Sequence, residues 1–146
     1  MKPRSHAWRT GSALAARAVV SMVFIVAALP KLADPAAFAR DIANYRLMPG
    51  VMAGALAVYL PWLELVLGCA LWVPNARPAA RVLGFGLLAA FAFVLLSALV
   101  RGLDVACGCF GSGRGGTSLA WALTRDLGLI ALLALDSAIS DRPKQS

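Results

Sequence analysis

The stretch A-A-R-V-L-G-F-G-L-L-A-A-F-A-F-V-L-L-S-A-L-V, from Ala79 to Val100, decides the fold. It contains a single charged residue, Arg81. A helix of about 20 residues is long enough to cross the hydrocarbon core of a bilayer, and this stretch has that length. It therefore predicts a membrane-spanning helix.

Three more apolar runs accompany this one, at about Leu14–Leu29, Val51–Val73 and Ser118–Ile139. The last two are also long enough to span a bilayer. The first is shorter, and we expect Arg17 near its start to extend its charged end to the lipid headgroups. The alternative for this run, a cleaved signal peptide with an apolar region from Ala18 to Leu29, stays open.

We therefore predict an all-α integral membrane protein, a four-transmembrane-helix bundle. The bundle occupies residues 14–139, between a basic cytoplasmic tail of residues 1–13 and a second cytoplasmic tail of residues 140–146. The composition agrees, because the chain is 60% hydrophobic and only 14% charged, against about a quarter charged in an ordinary soluble domain.

The net charge of +7 does not indicate a nucleic-acid-binding protein. Such a protein gathers its Lys and Arg on one solvated face, whereas here they lie at the ends of apolar runs. Three cysteines and one histidine, His6 in the tail, are too few for a closed four-ligand zinc site in one chain. No metal is predicted.

The distribution of Lys and Arg predicts both termini in the cytoplasm of a multi-pass protein of the inner (cell) membrane. The proposed cytoplasmic side has eight basic residues: Lys2, Arg4, Arg9, Arg17, Arg77, Arg81, Arg142 and Lys144. The opposite side has five: Lys31, Arg40, Arg46, Arg101 and Arg114. The segment between the last two runs then faces outward, on the oxidising side of a bacterial membrane.

A short amphipathic surface helix is predicted directly after the first span. Asp34 and Pro35 are typical of a helix start, as N-cap and first helical residue. Phe38, Ile42 and Tyr45 then recur at helical spacing. This pattern is typical of a helix lying on the membrane surface, and a plain connecting loop is the alternative.

The outward segment contains two cysteines in V-A-C-G-C-F-G, Cys107 and Cys109, separated only by Gly108. A disulfide between them would close a small, strained ring, and strained disulfides exchange readily. Arg101 and Arg114 lie near in sequence and favour a thiolate. We predict a redox-active dithiol; two packed small residues, or half of a metal site completed by another subunit, are the alternatives.

Cys69 lies late in its apolar run and is predicted at the opposite face of the membrane. About 25–30 Å then separates it from the dithiol, so the two cannot exchange directly. We expect Cys69 to be a small packed residue.

Three ionisable residues lie inside the apolar runs: Glu64, Arg125 and Asp126. Such residues usually face the bundle interior and pair, so we expect Arg125 to reach toward Glu64, with Asp126 as a second carboxylate. Two interpretations stay open. The three form either a polar network that fixes helix packing or a proton or quinone site below the dithiol.

Four motifs together resemble the methylamine utilisation protein MauE family, which is grouped with the DoxX-like four-helix membrane proteins. They are L-P-K-L-A-D-P-A-A-F-A at Leu29–Ala39, L-P-W-L-E at Leu60–Glu64, C-G-C-F-G at Cys107–Gly111 and R-D at Arg125–Asp126. The resemblance extends from about Leu14 to Ile139.

The resemblance implies a role in maturing the small subunit of methylamine dehydrogenase, an exported client protein rich in cysteines. It also implies a thioredoxin-like partner, MauD. The family has no established catalytic residues, so the roles of Cys107 and Cys109 come from the residues alone.

We conclude from the sequence that the chain is a membrane accessory of extracytoplasmic thiol–disulfide exchange. With one cysteine pair it needs a thioredoxin-like partner or a quinone, and the sequence points to no other cofactor. One alternative is a non-enzymatic membrane scaffold or transport helper of a maturation complex. The other is a DoxX-like quinone-linked oxidoreductase subunit.

Overall fold

Five α-helices make up the chain over the residues that the computed structural model describes, 4–103 and 119–140, with side chains described from residue 11 onward. They are α1 (Arg4–Ala33), α2 (Pro35–Asn44), α3 (Gly50–Ala70), α4 (Arg77–Val100) and α5 (Leu119–Ser140). The all-α prediction is confirmed for these ranges.

Three of the helices are long and apolar enough to cross a membrane: Gly11–Ala33, Gly50–Ala70 and Arg77–Val100. Large apolar side chains point outward along them, among them Val51, Tyr59, Val82 and Val100. An outer surface of this kind is stable in lipid, where apolar groups need no burial in protein. The structure therefore supports a membrane protein.

The fourth predicted span is not confirmed. Helix α5 has 22 residues, about 33 Å at the helical rise, so its length suffices. It differs from the other three in carrying Arg125, Asp126 and Asp136 within its apolar sequence. Both aspartates are buried, so the charge that makes α5 less apolar is directed into the bundle.

The four long helices pack in a ring in which α1 contacts α3 and α5, and α4 contacts α5 and α3. The core between them contains Val20, Phe24, Leu67, Leu88 and Leu133. Because Val20 and Phe24 belong to α1, this helix is an integral part of the bundle, which favours a span over a cleaved signal peptide.

Helix α1 is longer than its apolar run predicts. It begins at Arg4, within the predicted tail, and continues through Pro30 to Ala33. Pro30 lacks one backbone N–H, but a proline is tolerated in a membrane helix when neighbouring groups satisfy the freed carbonyl. As a result Lys31 lies in the last turn of α1 rather than in a loop.

The predicted short helix after the first span is confirmed as α2. Asp34 caps it, its Oδ1 accepting a hydrogen bond from the backbone N–H of Ala37 at 2.8 Å, and Pro35 is its first residue. Phe38 is buried, and α2 packs along α3. The helix therefore covers one side of the bundle with its apolar face.

Candidate functional site

The predicted dithiol, Cys107 and Cys109, lies outside the described residues, but the ends of the helices on either side of it are described. Leu95 and Ala98 near the end of α4 pack with Ala122 near the start of α5 and with Tyr45. Leu103 packs against the same cluster. The segment between α4 and α5 is thus attached at both ends to one end of the bundle.

Arg101 strengthens this attachment. Its Nη1 donates a hydrogen bond to the backbone carbonyl of Tyr45 at 3.0 Å. Tyr45 directly follows α2. The contact therefore joins the end of α4 to the end of α2, next to the point where the chain enters the cysteine segment.

Deeper in the bundle from this end lies a group of four charged side chains, named here the Lys31 cluster: Lys31, Glu64, Arg125 and Asp126. Lys31 Nζ donates to Glu64 Oε1 at 2.5 Å, and the two residues are 3% and 1% exposed. Arg125 Nη2 lies 2.9 Å from Asp126 Oδ1. Helices α1, α3 and α5 each contribute to the cluster, in which two cations face two carboxylates.

Glu64 has a hydrogen-bond partner that the sequence did not predict. Lys31 donates to Glu64, and Arg125 pairs with the adjacent Asp126. The reason is that α1 continues past Pro30 and brings Lys31 into the bundle. The charges of Arg125 and Asp126 still act on Glu64, so the three residues named from sequence do belong to one neighbourhood.

Two carboxylate oxygens of the Lys31 cluster are buried without a hydrogen-bond partner among the described residues, Glu64 Oε2 and Asp126 Oδ2. Leaving a buried acceptor unsatisfied costs about 1–3 kcal/mol or more for a charged group. A proton or a small hydrogen-bond donor removes that cost. The cluster is therefore chemically able to accept a proton inside the membrane region.

A second group of charges, named here the Asp136 cluster, lies nearer the start of α1. Asp136 Oδ1 accepts from Arg17 Nη2 at 2.8 Å, and Asp136 Oδ2 accepts from Arg81 Nε at 3.0 Å. The three residues are 0% (Asp136), 7% (Arg17) and 4% (Arg81) exposed. One carboxylate thus links α1, α4 and α5.

The expectation that the Arg17 side chain extends outward from the bundle to the headgroups was wrong, because a partner 119 residues away holds the side chain between the helices. Asp136 was missed altogether. The available signal was a third charged residue within the apolar run from Ser118 to Ile139, since a charge at such a position is normally paired in the interior.

Arg17 and Lys31 are fourteen residues apart on α1, so the two clusters are separated by about 21 Å along the helix. They are therefore independent polar sites at different depths.

An apolar groove with a volume of about 100 Å³ opens between α2, α3 and α4. Its lining includes Phe38, Leu60, Phe91 and Leu95, with Asp41 as its carboxylate. Burial raises the pKa of the Asp41 carboxyl above its ordinary value, and the neighbouring Arg40 opposes that shift. This volume is smaller than the range of about 300–1,000 Å³ that is typical of small-molecule sites.

The groove and the Lys31 cluster share a wall. Lys31 Nζ lies 5.1 Å from the ring centre of Phe38 and 5.2 Å from that of Phe91. At these distances the rings attract the ammonium group by a cation–π interaction. Two aromatic rings thus separate the buried ion pair from whatever occupies the groove.

Cys69 is exposed on α3, one residue before the end of that helix, so the expectation of a packed residue was wrong. Nearby, Trp72 Nε1 donates to Ser21 Oγ at 3.0 Å. Helix α4 has 24 residues and is about 36 Å long. It leads from the end of the bundle near Cys69 to the opposite end, where the segment with Cys107 follows in sequence.

Among the described side chains, no group of three His, Cys, Asp or Glu residues could hold a metal ion.

Comparison with known proteins agrees with the resemblance in the motifs. A family model described as "Methylamine utilisation protein MauE" matches residues 9–138. No solved structure matches the chain.

Curated relatives are named methylamine utilization protein MauE. The one from Methylophilus methylotrophus is 38% identical over 98 residues, 66% of this chain and 52% of the relative. The one from Methylorubrum extorquens is 36% identical over 115 residues, 77% and 61%. The one from Paracoccus versutus is 30% identical over 125 residues, 85% and 67%. The chain thus matches about half to two thirds of the length of these relatives.

Proposed function

The chain belongs to the methylamine utilisation protein MauE family, and on that premise we propose that it is a membrane accessory protein of methylamine utilisation. Its chemistry is thiol–disulfide exchange outside the cytoplasm, with Cys107 and Cys109 as the exchanging pair. The client is an exported, cysteine-rich protein, as the small subunit of methylamine dehydrogenase would be. A thioredoxin-like protein of the MauD kind is the partner.

One observation supports the location of the exchanging pair: α4 and α5 are anchored at the same end of the bundle through Leu103, Tyr45 and Ala122. Cys107 follows Leu103 by four residues, and four residues extend at most about 14 Å. This limit supports a dithiol held close to the bundle end, where a soluble partner has access. Cys69, near the end of α3, lies at the opposite end of the bundle and is not available to the soluble partner.

The exchange conserves electrons and atoms between the cysteine pair and the partner, so it needs no further oxidant or reductant. A thiolate of the pair attacks a disulfide sulfur of the partner, and a mixed disulfide forms as the partner's S–S bond breaks. The second cysteine then attacks the mixed disulfide, which closes the Cys107–Cys109 bond and leaves the partner reduced by two electrons. The same steps in reverse pass the disulfide to the client.

The Lys31 cluster serves this chemistry as a proton acceptor. A cysteine attacks as its thiolate, so its proton is held elsewhere until the partner's leaving thiolate takes it up. Glu64 Oε2 and Asp126 Oδ2 are two buried oxygens without described partners that can hold this proton. The ion pairs of the same cluster also join α1 to α3. The packing role and the proton role are thus carried by different oxygens of Glu64.

In the membrane, we assign α5 as the fourth span of an inner-membrane protein with both termini in the cytoplasm. Arg17, Arg81 and Lys31 are buried, so they do not belong in a count of loop charges. Leaving them out gives six basic residues on the cytoplasmic side against four outside, and the bias keeps its direction.

The apolar groove supports a second candidate, a quinone-linked oxidoreductase subunit. A quinone takes up two electrons and two protons as the dithiol becomes a disulfide. The groove is apolar, lies between α2, α3 and α4, and borders the Lys31 cluster through Phe38 and Phe91. A quinone that copurifies with the protein, and is lost from a Phe91→Ala variant, distinguishes this candidate.

A variant with both Cys107→Ser and Cys109→Ser tests the exchange function in cells growing on methylamine. We expect loss of disulfide formation in the client at unchanged membrane abundance, and Cys69→Ser is the matched control with normal activity. A non-enzymatic scaffold predicts instead that the double variant retains function.

A further inference from the structure

The end of the bundle that contains the Asp136 cluster has a buried donor without an acceptor. Arg17 is 7% exposed, and its Nη2 is occupied by Asp136 and Ser140. Its Nε is buried and has no hydrogen-bond partner among the described residues. A guanidinium group presents its N–H donors as a rigid fork that matches carboxylate and phosphate oxygens. Arg17 Nε is therefore a donor that an anionic oxygen would satisfy.

A third arginine stands beside this cluster. Arg77 is half-buried in the first turn of α4, and its Nε donates to the backbone carbonyl of Leu71 at 3.0 Å. The charges of Arg17 and Arg81 act on it unfavourably, and that of Asp136 acts favourably. Like charges repel one another. An anion bound between Arg77 and Arg17 relieves that repulsion.

The position of these arginines fits the depth of lipid headgroups. Ser21, one turn beyond Arg17 on α1, accepts the hydrogen bond from Trp72, and Trp72 is 47% exposed on the outer surface of the bundle. Exposed tryptophans are typical of the boundary between hydrocarbon and headgroups. The anion that is abundant at this depth is the phosphate of a phospholipid.

We infer that this end of the bundle binds the phosphate of an anionic phospholipid, with Arg77 at the surface and Arg17 Nε behind it. Basic pockets between transmembrane helices bind acidic headgroups in this way. A headgroup with net negative charge, such as that of phosphatidylglycerol, suits the site. The choline of phosphatidylcholine would bring a further cation next to the arginines.

The test uses the purified full-length chain, freed of lipid in a neutral detergent. Dioleoyl-phosphatidylglycerol, dioleoyl-phosphatidylcholine and inorganic phosphate are titrated separately, with retained adducts counted by native mass spectrometry and the unfolding temperature as the second readout. We expect phosphatidylglycerol to be retained and to raise the unfolding temperature. Phosphatidylcholine and inorganic phosphate should do neither.

Two arginine variants make the test specific. Arg77→Gln should weaken phosphatidylglycerol binding about tenfold or more, as expected for the loss of one charge-assisted hydrogen bond. Arg101→Gln is the matched control, since Arg101 also donates to a backbone carbonyl at 3.0 Å but lies at the opposite end of the bundle. It should bind like the wild type. Each variant is compared with its own lipid-free unfolding temperature, which separates lipid binding from general destabilisation.

Three results would overturn the inference. The first is equal retention of the two phospholipids, which indicates a non-specific annulus. The second is an equal loss of binding in Arg77→Gln and Arg101→Gln. The third is protection by inorganic phosphate that matches phosphatidylglycerol, which indicates a free-anion site instead of a headgroup site.

Discussion

Lys31 at the end of α1 and Glu64 in the middle of α3 form an ion pair that is closed to solvent, with Nζ 2.5 Å from Oε1. The rings of Phe38 and Phe91 flank the ammonium group. The pair therefore joins α1 to α3. Through the two rings it also contacts α2 and the wall of the groove.

Replacing Lys31 alone should be severely destabilising. Lys31→Met leaves the carboxylate of Glu64 buried without its cation, a change that typically costs about 3–5 kcal/mol. The double variant Lys31→Met/Glu64→Leu should recover most of this loss, because an apolar pair of similar volume needs no compensation. Chemical unfolding in detergent measures both, and a double variant no more stable than Lys31→Met would contradict this account of the pair.

Glu64→Gln separates the proton role from the packing role. The amide keeps the shape and the hydrogen-bonding capacity of the carboxyl group but cannot accept a proton from the thiols. We expect lower exchange activity per amount of protein, measured as client disulfide formation, together with some loss of stability because buried Lys31 loses its counter-charge. If the protein itself disappears from the membrane, the side chain is needed for packing instead.

Asp136→Asn should lower the amount of folded protein more than any other single change to a carboxylate. Asp136 is fully buried and binds both Arg17 and Arg81, so its neutralisation leaves two guanidinium groups without this partner. Removing one member of a buried ion pair costs about 3–5 kcal/mol. Asp41→Asn, in the groove lining, is the control. Equal membrane abundance of the two variants would be inconsistent with the Asp136 cluster as a structural link.

Gly68→Ala tests the close approach of α1 and α3. A Cβ at Gly68 would lie 3.0 Å from Ile25 Cγ1 and 3.2 Å from the backbone oxygen of Ser21. Since the helix backbone cannot easily move, we expect a loss of about 1–3 kcal/mol, as for other overpacked sites. Gly54→Ala, in the same helix with nothing within 4 Å, should be neutral or slightly stabilising. Equal effects of the two changes would argue against tight packing at Gly68.

The helices of this chain could be predicted from sequence because their signals are local. Long apolar runs mark α3 and α4, and Asp34 with Pro35 marks the start of α2. The end of α1 could not be predicted in this way. Pro30 is a local signal for a helix end, and the packing of Lys31 against Glu64 and two aromatic rings prevails over it.

The partners of the buried charges were the least predictable part. Arg17 and Asp136 are 119 residues apart, and no periodicity relates such positions. From the neighbouring residues alone, the Arg17 side chain is predicted at the lipid headgroups and Lys31 in a loop. Glu64, Arg125 and Asp126 could be recognised as interior residues because charges deep in apolar runs are costly unless paired, but the identity of each pair depends on how the helices pack.

The redox state of Cys107 and Cys109 in intact cells tests the central claim most directly. The Cys69→Ser background leaves these two thiols alone, and an impermeant, mass-shifting thiol reagent is applied before and after reduction. We expect two added labels only after reduction, because the disulfide faces outward and is exchangeable. Labelling that is complete before reduction, or that never occurs in intact cells, would contradict it.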